Sequence, residues 1–269
     1  MTSRYSEELL RLPMQPAAAA RVFDLARRQV VGEELLDLIS GDVALSARLL
    51  RMANSAHYGA PHRVASVSHA AVLLGGDTVR ALAVSTACGL LDHPGEDGPP
   101  GFDRHAASTA AATGVVAERV GYSRAEGFTV GLLHDLGLFL LHRRDPAKAT
   151  QARNAPSSSH QLTAELRAFG LTHAQAGAAA LEAWSFPPAV VEAVASHHGS
   201  DEPRHTLGRL LRVGEALATT LEPTDDHPGI PLLERLLPGV GLPLSAATDL
   251  LDEVERDLDR MVRTLEGAS

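Results

Sequence analysis

The sequence predicts an all-α protein made of two packed helical subdomains, and three observations carry that expectation. Apolar residues recur at intervals of three and four rather than two, as in Val22-Phe23-Leu25-Ala26 and Leu45-Leu49-Leu50-Ala53. The breaks between periodic stretches carry helix caps rather than hairpin turns. Ala, Leu and Val dominate while aromatics make up 4% of the chain, which favours helices packed through aliphatic and small side chains.

Taken in chain order, Asp42 precedes VALSARLLRMA and can accept from the free amides of a first turn. Asn54 and Gly59 stand where that helix stops, so it spans about residues 43–54. Ser66 or Ser68 caps HAAVLLGG, and Gly75-Gly76-Asp77 closes that helix and opens TVRALAVSTACGLL. The segment 91–101, LDHPGEDGPPG, gathers Pro, Gly and acidic residues and marks a boundary. The chain then divides into an N-terminal helical bundle (1–91), a second helical subdomain (102–222) and a C-terminal amphipathic helix region (223–269). In the second subdomain helices are expected over 102–120, 126–142, 163–169, 172–184, 188–198 and 206–221. In the last region Leu250, Leu251, Val254, Leu258, Met261, Val262 and Leu265 form one apolar stripe opposite a charged face. Such a stripe more often docks on its own core than on a partner.

Charge and composition exclude several function classes. A formal net charge of -9, with no run of five Lys or Arg, opposes binding to a nucleic-acid backbone. Cys88 is the one cysteine, which excludes an intramolecular disulfide and a Cys-based zinc knuckle and fits a reducing cytoplasm. No uninterrupted apolar stretch approaches the roughly 18 residues of a membrane span, so neither insertion nor export is expected.

Two sets of motifs point further. DVALSARLLRMANSAHYG (42–59), followed by HAAVLLGGDTVRALAVSTA, places Asn54, Ser55, Tyr58, Leu74 and Gly75 in an order and spacing that resembles the HDOD family of bacterial signalling domains. By themselves, Asn54 and Ser55 read as a helix end held by side-chain hydrogen bonds, without chemistry. Downstream come His105, GLLHDLG (131–137), LTHAQAGAAALEAW (171–184) and SHHG (196–199), and the resemblance covers about residues 15–220. These stretches are similar to the wider HD superfamily of metal-dependent phosphohydrolases, in which a lone His, a His-Asp pair and a distant Asp converge on one or two ions. The resemblance therefore implies an HD-like helical subdomain and puts His105, His134 and Asp135 in the first three places. Glu215, on LLRVGEALA, stands where the distant Asp would fall, with its carboxylate one bond, roughly 1.5 Å, further from the backbone.

Imidazole and carboxylate are the donor set of zinc, iron or manganese, and His173, His197 and His198 are further candidate ligands on the converging segments. Taken singly, a histidine is more often a hydrogen-bonded core or surface residue. Neighbours on a helix point about 100° apart, so His134 and Asp135 share an ion only at a helix flank, and of His197 and His198 one ring should face inward and one outward. An ion-free pocket of this kind should favour protonated imidazole.

Two phosphate-handling features of active relatives are missing. Leu138 follows Gly137 where a Lys often stands, and Gly199 leads into SDEPRH rather than a Gly-Tyr-Pro signature. Arg143 and Arg144 read as a solvated helix end. Three readings follow, in this order: a regulatory signalling domain acting through a protein partner without catalysis, a metal-dependent phosphohydrolase of a nucleotide or cyclic dinucleotide, and a nucleotide sensor without turnover.

Overall fold

The computed structural model describes residues 35, 36, 39, 49, 52, 53, 64, 66–87, 99–183, 186–198, 203–221 and 229–266, and among them there is no strand. The expected caps of the 43–54 helix, together with Asn54, Ser55 and Tyr58, lie outside the described residues, as does the connector over 91–98. The first helix described in full, α1 (Val67–Leu74), starts at Ser66, whose hydroxyl accepts from the His69 amide, and ends at Gly75. Helix α2 (Gly76–Ala87) follows at once, as the Gly75-Gly76 pair predicts.

Helix α3 (Phe102–Arg119) forms the axis of the remaining structure. Against it pack α4 (Arg124–Leu133), capped by Ser123, and α10 (Thr206–Leu221). Around them run α5 (Leu136–Arg144), α6 (Pro146–Arg153), α7 (Ser158–Phe169), α8 (His173–Ala183) and α9 (Pro188–Ser196). The chain closes with α11 (Gly229–Leu236), a 3-10 turn over Leu237–Val240 and α12 (Ala246–Glu266).

Three helix boundaries differ from the sequence expectation. The stretch 126–142 is two helices, broken at His134 and Asp135, where Asp135 takes φ -98° and ψ 14°. The apolar pattern hides the break, because Leu132, Leu133, Leu136, Phe139 and Leu140 are buried on both sides of a two-residue turn. Helix α6 was not expected, although Asp145 caps it by accepting from the Lys148 amide and Pro146 opens it, a standard start signal. Helix α7 begins at Ser158, five residues before the expected start, with Ser157 as its cap.

One apolar cluster joins residues from both sides of the 91–101 segment, from Leu35, Leu74 and Val79 to Phe128, Leu136, Leu181 and Leu211. A second lies between α3, α10, α11 and α12 and includes Val116, Leu217, Leu233, Leu250 and Val254. Leu250, Leu251, Val254 and Leu258 of the C-terminal stripe thus pack on the protein's own core. Ion pairs of Arg119 with Glu253 and of Arg124 with Glu118 and Asp257 fasten α12 across α3 and α4.

Candidate metal centre

The break between α4 and α5 decides the site. It turns His134 and the Asp135 carboxylate toward one centre, so the flank geometry required on a continuous helix does not apply. His134 Nε2 lies 3.3 Å from Asp135 Oδ2. His105 of α3 adds its Nε2 at 3.2 Å from that of His134 and 3.7 Å from the same carboxylate oxygen. The other oxygen, Oδ1, faces His173 Nε2 and His197 Nε2, each at 3.5 Å. Asp135 therefore stands between two groups of possible ligands, His105 and His134 on one side and His173, His197 and His198 on the other, all with ligand atoms within 4.8 Å of one another in their group.

The protonation pattern follows from the partners behind the rings. His134 Nδ1 lies 2.7 Å from the Gly131 carbonyl and His197 Nδ1 lies 2.6 Å from the Val194 carbonyl. A carbonyl only accepts, so both Nδ1 atoms donate and each neutral ring presents its Nε2 lone pair to the centre. His173 Nδ1 donates to Glu165, 2.8 and 2.9 Å from its two oxygens. Asp135 Oδ1, His173 Nε2 and His197 Nε2 are buried and have no hydrogen-bond partner. Such atoms are costly to bury unless something else satisfies them.

A divalent ion fits. Two ligands of one tetrahedral ion with bonds of roughly 2.0–2.1 Å stand about 3.3–3.4 Å apart, close to the 3.2, 3.3 and 3.5 Å separations seen here. The donor set of imidazoles and carboxylate suits zinc, iron or manganese.

Burial alone would raise the Asp135 carboxyl, but the imidazoles of His134, His197 and His173 outweigh it and hold the group well below the usual carboxylate range. Glu215 behaves likewise: burial raises it, and His198, His197 and His134 bring it below its ordinary value. His197 is pushed down by burial but raised further by Asp135 and Glu215, as expected of an ion-free pocket. His198 goes the other way. Burial dominates and takes it down to about 4, so its ring is neutral at pH 7.

Of the residues singled out in the sequence, His105, His134 and Asp135 meet directly. Glu215, on α10, sits at the rim, with Oε1 3.7 Å from His198 Nε2, and belongs to neither close group. His197 and His198 both face the cluster, contrary to the one-in, one-out expectation; they lie in the turn that follows Ser196, the last residue of α9. Their ring centroids are 4.1 Å apart. Arg143, in the last turn of α5, is half-buried and lies over the Phe139 ring.

Sequence reasoning missed Glu165. It is 1% exposed on α7, and besides the His173 ring it accepts from the His173 backbone amide at 2.8 Å and from Gln161 at 2.9 Å. Gly170 makes this reversal possible: its φ of 79° ends α7 and folds the start of α8 back toward Glu165. A signal was available, since Glu165 shares the buried face of α7 with Phe169, four residues on. An acid on an apolar stripe needs a buried partner.

The comparisons with known proteins bear on the family and the fold. The HDOD domain profile matches residues 12–200. The chain belongs to the HDOD family. A solved structure of a candidate phosphohydrolase from Shewanella amazonensis SB2B is similar over 97% of both chains, with 25% identity and a TM-score of 0.70. A candidate signal transduction protein from Marinobacter aquaeolei VT8 is similar over 95% of this chain and 59% of its own, with 27% identity and a TM-score of 0.68. An uncharacterized protein of Treponema pallidum (strain Nichols) is 30% identical over 173 residues, 61% of this chain. This HDOD chain spans only 33% of that relative's length. Among the described residues no helix is long and apolar enough to cross a membrane.

Proposed function

We propose that this HDOD domain is a signalling domain that holds divalent metal at the Asp135 cluster and conveys its state to a protein partner, without turning over a substrate. The observation that carries the metal reading is the convergence of three buried, unbonded ligand atoms, Asp135 Oδ1, His173 Nε2 and His197 Nε2. His105, His134 and Asp135 Oδ2 would hold an ion on one side, and His173, His197, His198 and Asp135 Oδ1 on the other, with Glu215 at the rim. A bound divalent ion would supply Lewis acidity and a water of lowered pKa. The chain's own residues set the neutral tautomers of His134, His173 and His197 and keep Asp135 ionised.

Similarity to a candidate signal transduction protein over nearly the whole chain supports the signalling part. Leu138, in place of a phosphate-binding cation, supports the absence of turnover, since phosphoryl chemistry needs charge to hold the phosphate. Cys88 as sole cysteine supports a reducing cytoplasmic setting.

A second reading is favoured by one observation. The His105 side chain is 19% exposed, so that side of the centre is open to a ligand, as catalytic metal sites are. It would make the domain a phosphohydrolase of a nucleotide or cyclic dinucleotide, in line with the Shewanella relative. The test is metal analysis of the purified chain followed by incubation with a panel of nucleotides and cyclic dinucleotides. Bound metal without turnover is the expected result. Metal with turnover would establish the phosphohydrolase, and nucleotide affinity without metal would establish a sensor.

A further inference from the structure

Behind His173, on the Glu165 side, lies a cavity of about 340 Å³. None of the cluster histidines borders it, nor does Asp135; Glu165 does. The cavity is at the lower end of ligand pockets, roughly 300–1,000 Å³, so it suits a compact molecule rather than a nucleotide. Its apolar wall includes Pro99, Leu138 and Leu141, and its polar groups include Arg153, Thr150 and Asn154. Leu138, standing where the resemblance to active relatives would place a Lys, lines this cavity.

The charges define the ligand. Arg153 spends one of its five N–H groups on the Pro100 carbonyl at 2.7 Å, which fixes the guanidinium at the cavity edge. His142, also in the lining, is pushed below its ordinary value by burial and then by Arg153 and Arg143, a sign of local positive potential. Glu165 adds a negative charge in the same wall. One guanidinium with a hydroxyl and an amide can pair a single negative charge, and Glu165, whose oxygens are taken by His173 and Gln161, leaves no second cation-rich surface for the other charge of a phosphate dianion.

We propose that this cavity binds a compact organic monoanion, with its carboxylate at Arg153 and its apolar body against Leu138 and Leu141, and that Glu165 transmits its presence to the metal centre. Glu165 is suited to the second part because it borders the cavity and fixes both the ring and the backbone amide of His173. A ligand that shifts Glu165 alters the orientation and basicity of His173. Supporting groups of this kind change metal affinity by about 10–100-fold when removed. This coupling rests on the metal reading above, whereas the anion site does not.

The test uses the full chain stripped of metal by chelation, titrated with benzoate and, for comparison, with its neutral isostere benzyl alcohol and with inorganic phosphate. Saturable benzoate binding that moves the His142 ring resonances is expected, with both comparison probes about tenfold or more weaker. Arg153→Gln should weaken benzoate about tenfold and Leu138→Trp should abolish it by filling the cavity; if the latter misfolds, Ala149→Leu narrows the same space. No saturable binding, or binding that these variants leave unchanged, overturns the anion site. A cobalt titration then reads the coupling: benzoate should change cobalt affinity in the natural chain and not in Glu165→Gln. Benzoate binding with unaltered cobalt affinity overturns the coupling. Absence of any cobalt binding sinks the metal reading and with it the coupling, while the benzoate titration still decides the anion site.

Discussion

On the Oδ2 side of Asp135, His105 and His134 meet at 3.2 Å, and His105 is partly open to solvent. On the Oδ1 side, His173 and His197 are buried, their Nε2 atoms have no hydrogen-bond partner, and Glu165 and the Val194 carbonyl fix the rings from behind. One carboxylate serves both sides, yet their surroundings differ. The Oδ1 side is preorganised, with His173 and His197 buried and held from behind, which favours a tightly held ion even though His198 at its edge is 21% exposed. The open side leaves room for an exchangeable ion or an outside ligand.

The largest expected effect comes from the residue the two sides share. Asp135→Ala should remove metal from both, so elemental analysis of the purified variant should find none; retained metal would mean the two sides do not depend on a common bridge. Next, His173→Ala and His105→Ala should differ. The former should lose the tight ion, a loss beyond the roughly 10–100-fold of a supporting group, while the latter keeps it and loses only the weaker one. Competition with a chromogenic chelator reads both, and the reverse order would invert the comparison.

Glu165→Gln tests why the buried side is better held. Metal affinity there should fall about 10–100-fold, with the His105 side unchanged. Gly137→Ala probes the packing beneath the same side. A Cβ at Gly137 would fall 1.8 Å from the His173 carbonyl oxygen and 2.8 Å from the Gly177 amide nitrogen. Urea unfolding should show a loss at or above the ~1–3 kcal/mol of ordinary overpacking, since backbone must move.

The smallest effect is the pH dependence of the metal-free protein. His198 has a folded pKa of about 4 against 6.5 when unfolded. The unfolded chain therefore binds more protons between these values, and the stability present above pH 6.5 is lost as pH falls toward 4, by at most on the order of 3 kcal/mol. Asp135 and Glu215, both lowered, act in the same sense: their contribution is present above their unfolded values and lost as pH falls through the folded ones. His197, raised, opposes this, since its contribution is present below 6.5 and lost as pH rises through its folded value. Urea midpoints of the natural chain and His198→Ala measured across this range isolate the first term; a variant as acid-sensitive as the natural chain would show that His198 does not carry it.

Much of this was legible in the sequence. The helical class, a cap at Ser66 or Ser68, the Gly75 stop, the 206–221 helix and the stripe of α12 all rest on interactions within a few residues: a hydroxyl on an amide, a glycine at positive φ, an apolar period of 3.6. His105, His134 and Asp135 were named because their order along the chain carries a pattern. The break at His134-Asp135, the inward turn of both His197 and His198, and the identity of Glu165's partner were not legible. Each depends on where a helix is stopped or crossed by a distant one. α5 can lie against α8 because Gly137 has no side chain where the His173 carbonyl passes, and that contact exists only after the 35 intervening residues have folded. By itself the sequence determined which residues could ligate an ion and which segments would be helical, because those are matters of side-chain chemistry and short-range hydrogen bonding. Only the tertiary structure decided that all three rings meet at Asp135 and that His173 turns its Nε2 to it, since the carboxylate behind its Nδ1 comes from another helix, whereas the Gly131 and Val194 carbonyls orient His134 and His197 from three residues back.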